Sequence, residues 1–306
     1  MSLLTELTSG ARFQRLLERI FPKTMGLIYT HLPKLPAHLH VFVGSVGLFT
    51  ATHLVFGPWL CKRLWPTHYG TVKKWGEKNK WAIRVASQVH ALAVVPMAVR
   101  CLGIPALNSD RMYGWDDRAG TLHAFACGYF LWDTVDAIVN YTDAGFIVHG
   151  LCCLSIYTLS FKPFVNYFGA RCLLWEASTV FLNNNWILDK TGRTGSKLQF
   201  YNGALLLSAF AGVRLIYGGK MSYDFWVSLY NHRHQISTLQ WVLFGGGNIV
   251  LQGLNWYWFS KMIVALRRRF RPSGPLPGPE KANGNGRHVE NGNGKGFTSV
   301  DEPPLV

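Results

Sequence analysis

Long apolar runs punctuated by short polar breaks dominate the chain. A helix needs about 20 mostly apolar residues to cross roughly 30 Å of hydrocarbon, and such runs occur at 37–60, 81–101, 121–140, 145–161, 171–188, 200–217 and 239–264. The pattern predicts an all-α membrane protein with about seven transmembrane helices. The fourth run is short, and only residues 141–144 separate it from the third. These two predict either a tight helical hairpin or a loop that dips into the membrane. Before the first run, Phe13, Leu16, Leu17, Ile20 and Phe21 recur at helical spacing with Arg12, Arg15 and Arg19 between them. That spacing predicts an amphipathic helix, either lying on the membrane or packed on the bundle. Its lack of a continuous apolar core predicts no secretory signal peptide, so the first span would direct insertion. From Pro272 the chain turns to Pro, Gly and Asn, with Asn-Gly-Asn-Gly at 283–286 and again at 291–294. Such a segment cannot bury a core and predicts a disordered tail over 272–306.

Charge adds an orientation. The loop after the first run carries Lys62, Arg63, Lys73, Lys74, Lys78 and Lys80, and the last run is followed by Arg267, Arg268, Arg269 and Arg271. Short basic loops favour the cytoplasmic side, so both are expected there, with the N-terminus lumenal and the C-terminus cytoplasmic. The loop after the second run balances Arg100, Arg111 and Arg118 against Asp110, Asp116 and Asp117, which agrees; the basic N-terminal helix does not.

Composition fits the same picture. Hydrophobic residues make up 49% and charged residues 15%, against about 25% charged in an average soluble domain. The net charge is +15. Its clustering at the ends of apolar runs points to lipid headgroups, not nucleic acid. The six cysteines show no metal-ligand spacing, and five lie in or beside apolar runs, so they read as small buried residues. No metal site and no resident cofactor are expected. An HxxHH cluster, a P-loop and a GxSxG elbow are all absent from the sequence, which disfavours di-iron hydroxylation, ATP-driven transport and serine hydrolysis.

The candidate chemistry lies inside the apolar runs, where an ionisable group costs about 2.5–3.5 kcal/mol on insertion scales and needs an interior partner. The second run holds Arg84, Ser87, Gln88 and His90, with Ser87 and His90 on one face. The third holds His123, Asp133, Asp136 and Asn140, the last three on one face. Two carboxylates one turn apart need a proton or a cation between them, which suits proton transfer, an ion site or a plain salt bridge to Arg214. The fourth holds His149, either an interior structural residue or a general base or nucleophile. The fifth holds Arg171, Glu176 and the run Asn183, Asn184, Asn185, Trp186; Glu176 needs a partner, either Arg214 or Arg171. Asn202 opens the sixth. Asn248, Gln252 and Asn255 form a stripe on the seventh that most simply holds helices together.

Five segments carry a family resemblance. They are Gly128-Tyr129-Phe130-Leu131-Trp132-Asp133, Phe146-Ile147-Val148-His149, Trp175-Glu176-Ala177-Ser178-Thr179-Val180-Phe181-Leu182-Asn183, Tyr201-Asn202-Gly203, and Arg214. In this order they resemble the TLC-domain family, which includes the ceramide synthases and translocon-associated proteins. The resemblance covers roughly 75–265. It divides the chain into an amphipathic segment (1–35), the first span with its basic loop (36–74), a TLC-like six-helix domain (75–265) and the tail (272–306).

The resemblance implies an endoplasmic-reticulum lipid-handling protein with a six-helix barrel around a lipid cavity. It implies membrane lipids as partners and leaves the oligomeric state open. In ceramide synthases a His-His pair with nearby acidic residues carries acyl transfer from acyl-CoA to a sphingoid base. Here His149 is followed by Gly150, so the pair is broken. The expectation is lipid homeostasis by binding, sensing or modifying a lipid, with His90, His123, Asn140, Glu176, Asn183, Asn202 and Arg214 as cavity or structural polar groups. The alternative is an acyl-CoA-dependent N-acyltransferase using His149 with Asp133 or Asp136. A seven-helix receptor or transporter is the distant third.

Overall fold

The structure is a computed structural model and describes residues 10–269 other than Thr142, with side chains through Arg267. The expected tail at 272–306 lies outside the described residues. Two short helices, α1 (Gly10–Ile20) and α2 (Pro22–His31), precede seven long helical rods: α3 (Pro36–Leu64), α4 (Trp75–Cys101), α5 (Asp117–Val139), α6 (Ala144–Leu159), α7 (166–190), α8 (Lys197–Asn231) and α9 (238–269). The described residues contain no strand.

Short connections reverse the chain between successive rods, and the pairwise packing closes a ring. α4 packs on α5, α5 on α6, α6 on α9, α9 on α8, α8 on α7, and α7 back on α4. α3 stands outside the ring against α4 and α5. The ring thus contains the six rods after the first, as the resemblance implies.

By length and composition α3, α4 and α8 are able to cross a membrane; α6 is a shorter apolar helix. At 1.5 Å per residue its 16 residues reach about 24 Å. α5, α7 and α9 are more polar because each sends charged or amide side chains to the interior, described below. Asp143 caps α6 by accepting from the Gly145 amide at 2.6 Å, and α5 and α6 pack on each other as a tight helical hairpin. The sixth run, expected at 200–217, continues to Asn231. Its extension carries Asp224, which pairs with Lys220 at 2.6 Å and with Arg111 at 3.8 Å from the connection ahead of α5. At the same end Asp116 caps α5, and the Arg118 side chain holds its carboxyl below the usual carboxylate range.

The amphipathic α1 packs one edge on the bundle and leaves the other outward. Phe13 and Leu17 rest on the main core, whereas Leu16 and Ile20 are exposed. Glu18 of α1 accepts a hydrogen bond from Tyr29 of α2, which with Gln14 holds its carboxyl below the usual range.

α3 reaches α5 through a close contact at Gly128, where a Cβ would lie 2.7 Å from the Phe42 carbonyl oxygen and also strike the Ser45 side chain. Ser45 Oγ donates to the Phe125 carbonyl at 2.7 Å in the same contact. Gly128→Val should therefore destabilise the protein by about 1–3 kcal/mol through overpacking. Thermal unfolding in detergent checks this; an unchanged midpoint would mean that α3 moves aside freely.

Candidate functional site

Every rod of the ring sends at least one polar side chain inward. These are Arg84 from α4, Asp133 from α5, His149 from α6, Glu176 and Asn183 from α7, Arg214 from α8 and Asn255 from α9. All are buried except Asp133, which is half-buried.

Arg214 organises one half of this interior. It is 1% exposed and sits in a π-helical turn of α8, Ala211–Tyr217. Its Nη2 lies 3.5 Å from Glu176 Oε1, so the pair expected from the sequence forms with Arg214. Nε donates to Ser178 Oγ at 3.0 Å and to the Trp175 carbonyl at 3.2 Å, and Nη1 donates to Asn255 Oδ1 at 3.2 Å. Thr179 accepts from Nη2 at 3.3 Å and donates to Glu176 Oε2 at 2.9 Å. The π turn displaces the regular backbone ladder, and Gln252 Nε2 donates to the Arg214 carbonyl at 3.2 Å. A buried ion pair is tolerable only when its remaining donors and acceptors are met in this way. Arg171, the other partner considered for Glu176, instead donates to the carbonyls of Tyr167 and Leu102 and to Asn108.

The other half joins α4 to α7. Arg84 Nη1 donates to Asn183 Oδ1 at 3.2 Å, and Asn183 Nδ2 donates to Ser87 Oγ and Gln88 Oε1, both at 3.2 Å. Asp133 lies between the halves, within electrostatic range of Asp136, Glu176 and Arg84.

The two aspartates of α5 have different surroundings. Asp136 accepts from Asn140 at 2.8 Å and from Asn79 of α4 at 3.2 Å, and stands 3.9 Å from His53 Nε2. His53 also meets Asn79 Oδ1 at 2.5 Å and belongs to α3, outside the ring. It sits in a second π turn, Thr52–Phe56.

His149 of α6 faces α5 and α9. Its ring nitrogens approach Cys153 Sγ at 3.9 and 3.7 Å, its ring meets Trp258 and Phe130 edge-on, and it is within electrostatic range of Arg214. Among the described residues, His149 makes no hydrogen bond or ion pair with Asp133 or Asp136. The adjacent Gly150 is packed on α5: a Cβ there would lie 3.2 Å from Thr134 Cβ and closer still to its hydroxyl. A second imidazole has no room at this position.

The remaining polar positions hold the bundle. Asn202 donates to the Phe181 carbonyl at 2.8 Å, and His123 Nδ1 meets Ser160 Oγ at 3.0 Å while its Nε2 has no hydrogen-bond partner among the described residues. His90 is fully buried, neither ring nitrogen hydrogen-bonded among the described residues, stacked on Tyr129 at 3.7 Å between centroids and boxed by Phe49, Phe125 and Phe130. Asn248 accepts from Trp226 and donates to Ser222. Among the described residues, no three His, Cys, Asp or Glu side chains gather as a metal cluster.

Sequence reasoning did not single out His53, Asn79, Cys153 or Thr134. A histidine in the first apolar run, 53, and an asparagine two residues ahead of the second, 79, were the signals for the Asp136 cluster.

The TLC domain profile matches residues 80–264 of the chain. A TLC domain-containing protein of Schizosaccharomyces pombe is 36% identical over 78% of this chain and 82% of its own length. The Saccharomyces cerevisiae protein named topoisomerase I damage affected protein 4 is 26% identical over 83% of this chain and 90% of its own. TLC domain-containing protein 4-B of Xenopus laevis is 26% identical over 74% and 88%. No solved structure matches.

Proposed function

The chain belongs to the TLC domain family of membrane proteins, and from that premise we propose that it acts in lipid homeostasis at the endoplasmic reticulum by holding a membrane lipid inside the helical ring. The observation that carries this reading is the inward polar set contributed by all six rods of the ring. Such groups are costly in hydrocarbon and are kept where a polar ligand or pathway needs them. In this reading the Arg214–Glu176 pair fixes the ring, and Asp133 and His149 face the polar part of the lipid. A cytoplasmic C-terminus and a lumenal N-terminus belong to this reading, supported by the basic residues Lys62, Arg63, Lys73, Lys74, Lys190, Arg193 and Lys197 in or beside the connections after α3 and α7.

The packing of Gly150 on Thr134 favours binding or sensing over acyl transfer by a His-His pair. Acyl-CoA would enter as co-substrate only under that alternative.

Lipid bound to the purified, gently solubilised full-length protein tests the proposal. Mass spectrometry should find a membrane lipid at near one per protein in the wild type, and several-fold less in Asp133→Asn and His149→Ala at equal thermal stability. Equal lipid in all three would remove these two residues from the site. Product formation from acyl-CoA and a long-chain base, with an acyl adduct on His149, would instead establish the N-acyltransferase.

A further inference from the structure

The interior network leaves a charged feature at the basic end of the ring unused. After α3, a one-turn helix, Pro66–Gly70, and the residues up to Lys74 fold against the end of α7. Between them is an open cleft of about 400 Å³, within the ~300–1,000 Å³ of small-molecule sites. Its walls include His68, Thr71, Lys73, Lys74, Glu77 and Lys190. The cationic groups thus come from two separate parts of the chain.

Several features make the cleft select an anion. Its one carboxylate, Glu77, accepts from Lys80 Nζ at 2.9 Å, so its charge is already met. Lys74 is the N-cap residue of the 27-residue α4 and makes no side-chain cap, so the positive end of that helix adds to the lysine charges. The far wall is held by a turn whose left-handed backbone favours glycine. Gly192 has φ +69°, and Arg193 N donates to the Leu188 carbonyl at 2.9 Å in the closing bond of α7. A Cβ on Gly192 would come within 3.9 Å of His68 Nε2, which places the two walls opposite each other.

The depth of the cleft points to headgroups. Trp81 lines it, and Trp65, Tyr69 and Trp186 cluster around Trp81. Trp75 and Trp59, close in sequence, are 64% and 58% exposed. Tryptophan and tyrosine concentrated in this way mark the membrane–water interface.

We propose that this cleft binds a phosphate-bearing anion, either the headgroup of an anionic phospholipid or a soluble phosphate ester. Lys73, Lys74 and Lys190 supply charge, His68 a further donor, and the start of α4 the dipole. The site is on the rim of the ring and does not depend on what the interior holds.

Binding of short-chain phosphatidic acid to the full-length protein in detergent tests it, with phosphatidylcholine and oleate of matched solubility as comparison probes and inorganic phosphate as competitor. The double variant K73Q/K74Q should weaken phosphatidic acid binding at least about tenfold, or roughly 1.4 kcal/mol. The control K62Q/R63Q removes the same charge outside the cleft and should stay within about twofold. Melting temperatures of both variants should match the wild type. Displacement by millimolar phosphate would identify a soluble phosphate ester as the ligand, and resistance to it a lipid headgroup; either supports the site. Equal losses in the two double variants, no loss in either, or oleate binding as tightly as phosphatidic acid would overturn it.

Discussion

Replacing Arg214 with methionine is expected to cost about 3–5 kcal/mol, because it leaves Glu176 as a buried carboxylate without its cation. The loss would be a large part of a stability that is typically about 5–15 kcal/mol. It should appear as a steep fall in melting temperature and in monodisperse yield from detergent. The guanidinium donates to Ser178, Thr179, Asn255 and the Trp175 carbonyl, so the same change strands acceptors on both α7 and α9. Arg214→Lys should recover little, since one ammonium cannot reproduce that planar fork of donors. Adding Glu176→Gln to Arg214→Met should return part of the loss, and the two residues should couple by about 0.5–3 kcal/mol in a double-mutant cycle. Additive single effects would show that the pair is not what closes α7 against α8.

Gly150→His is the second large effect. It would restore the paired histidines of the ceramide synthases in sequence, yet it should destabilise the protein by about 1–3 kcal/mol or more by overpacking. The new Cβ meets Thr134 on α5, whose Cα is 3.3 Å from it and whose hydroxyl is already bonded to the Phe130 carbonyl at 2.6 Å. Thr134→Ala in the same background should relieve only part of the strain, because the backbone of α5 remains. A stable Gly150→His protein that gained N-acyltransferase activity would show that the missing histidine alone separates this chain from the synthases.

Rods and the need of Glu176 for a cation were legible in the sequence for a simple physical reason, whereas the ring came from the family resemblance. Apolar runs of bilayer length have few other uses, and Glu176 inside one of them demands a cation. Which cation was not legible. Arg171 and Arg214 were equivalent in one dimension, and the choice follows from Arg171 turning to Asn108 and the carbonyl of Leu102 outside the interior. The length of α8 was missed because its apolar run stops at 217; beyond it the helix carries Lys220 and Asp224, and Asp224 is paired with Arg111, over a hundred positions earlier in the chain.

The aspartate pair was placed correctly on one face of α5, but a shared face does not mean shared partners. Asp136 is engaged by Asn79 and Asn140, with His53 of α3 alongside, whereas Asp133 meets the electrostatics of the ring interior. His53 belongs to a rod set apart from the six-helix domain by the resemblance, and only the packing of α3 on α5 brings it in. Ser87 and His90 divide in the same way: Ser87 accepts from Asn183, while His90 is stacked among aromatic rings.

The central claim is that the ring acts on membrane lipid composition through its interior without ceramide-synthase chemistry. Lipidomics of a deletion strain beside a His149→Ala strain with wild-type protein abundance tests it most directly. The account predicts that both shift the same membrane lipid classes in the same direction and leave ceramide unchanged. A deletion strain with wild-type lipids, or a matching loss of ceramide in both strains, would contradict it.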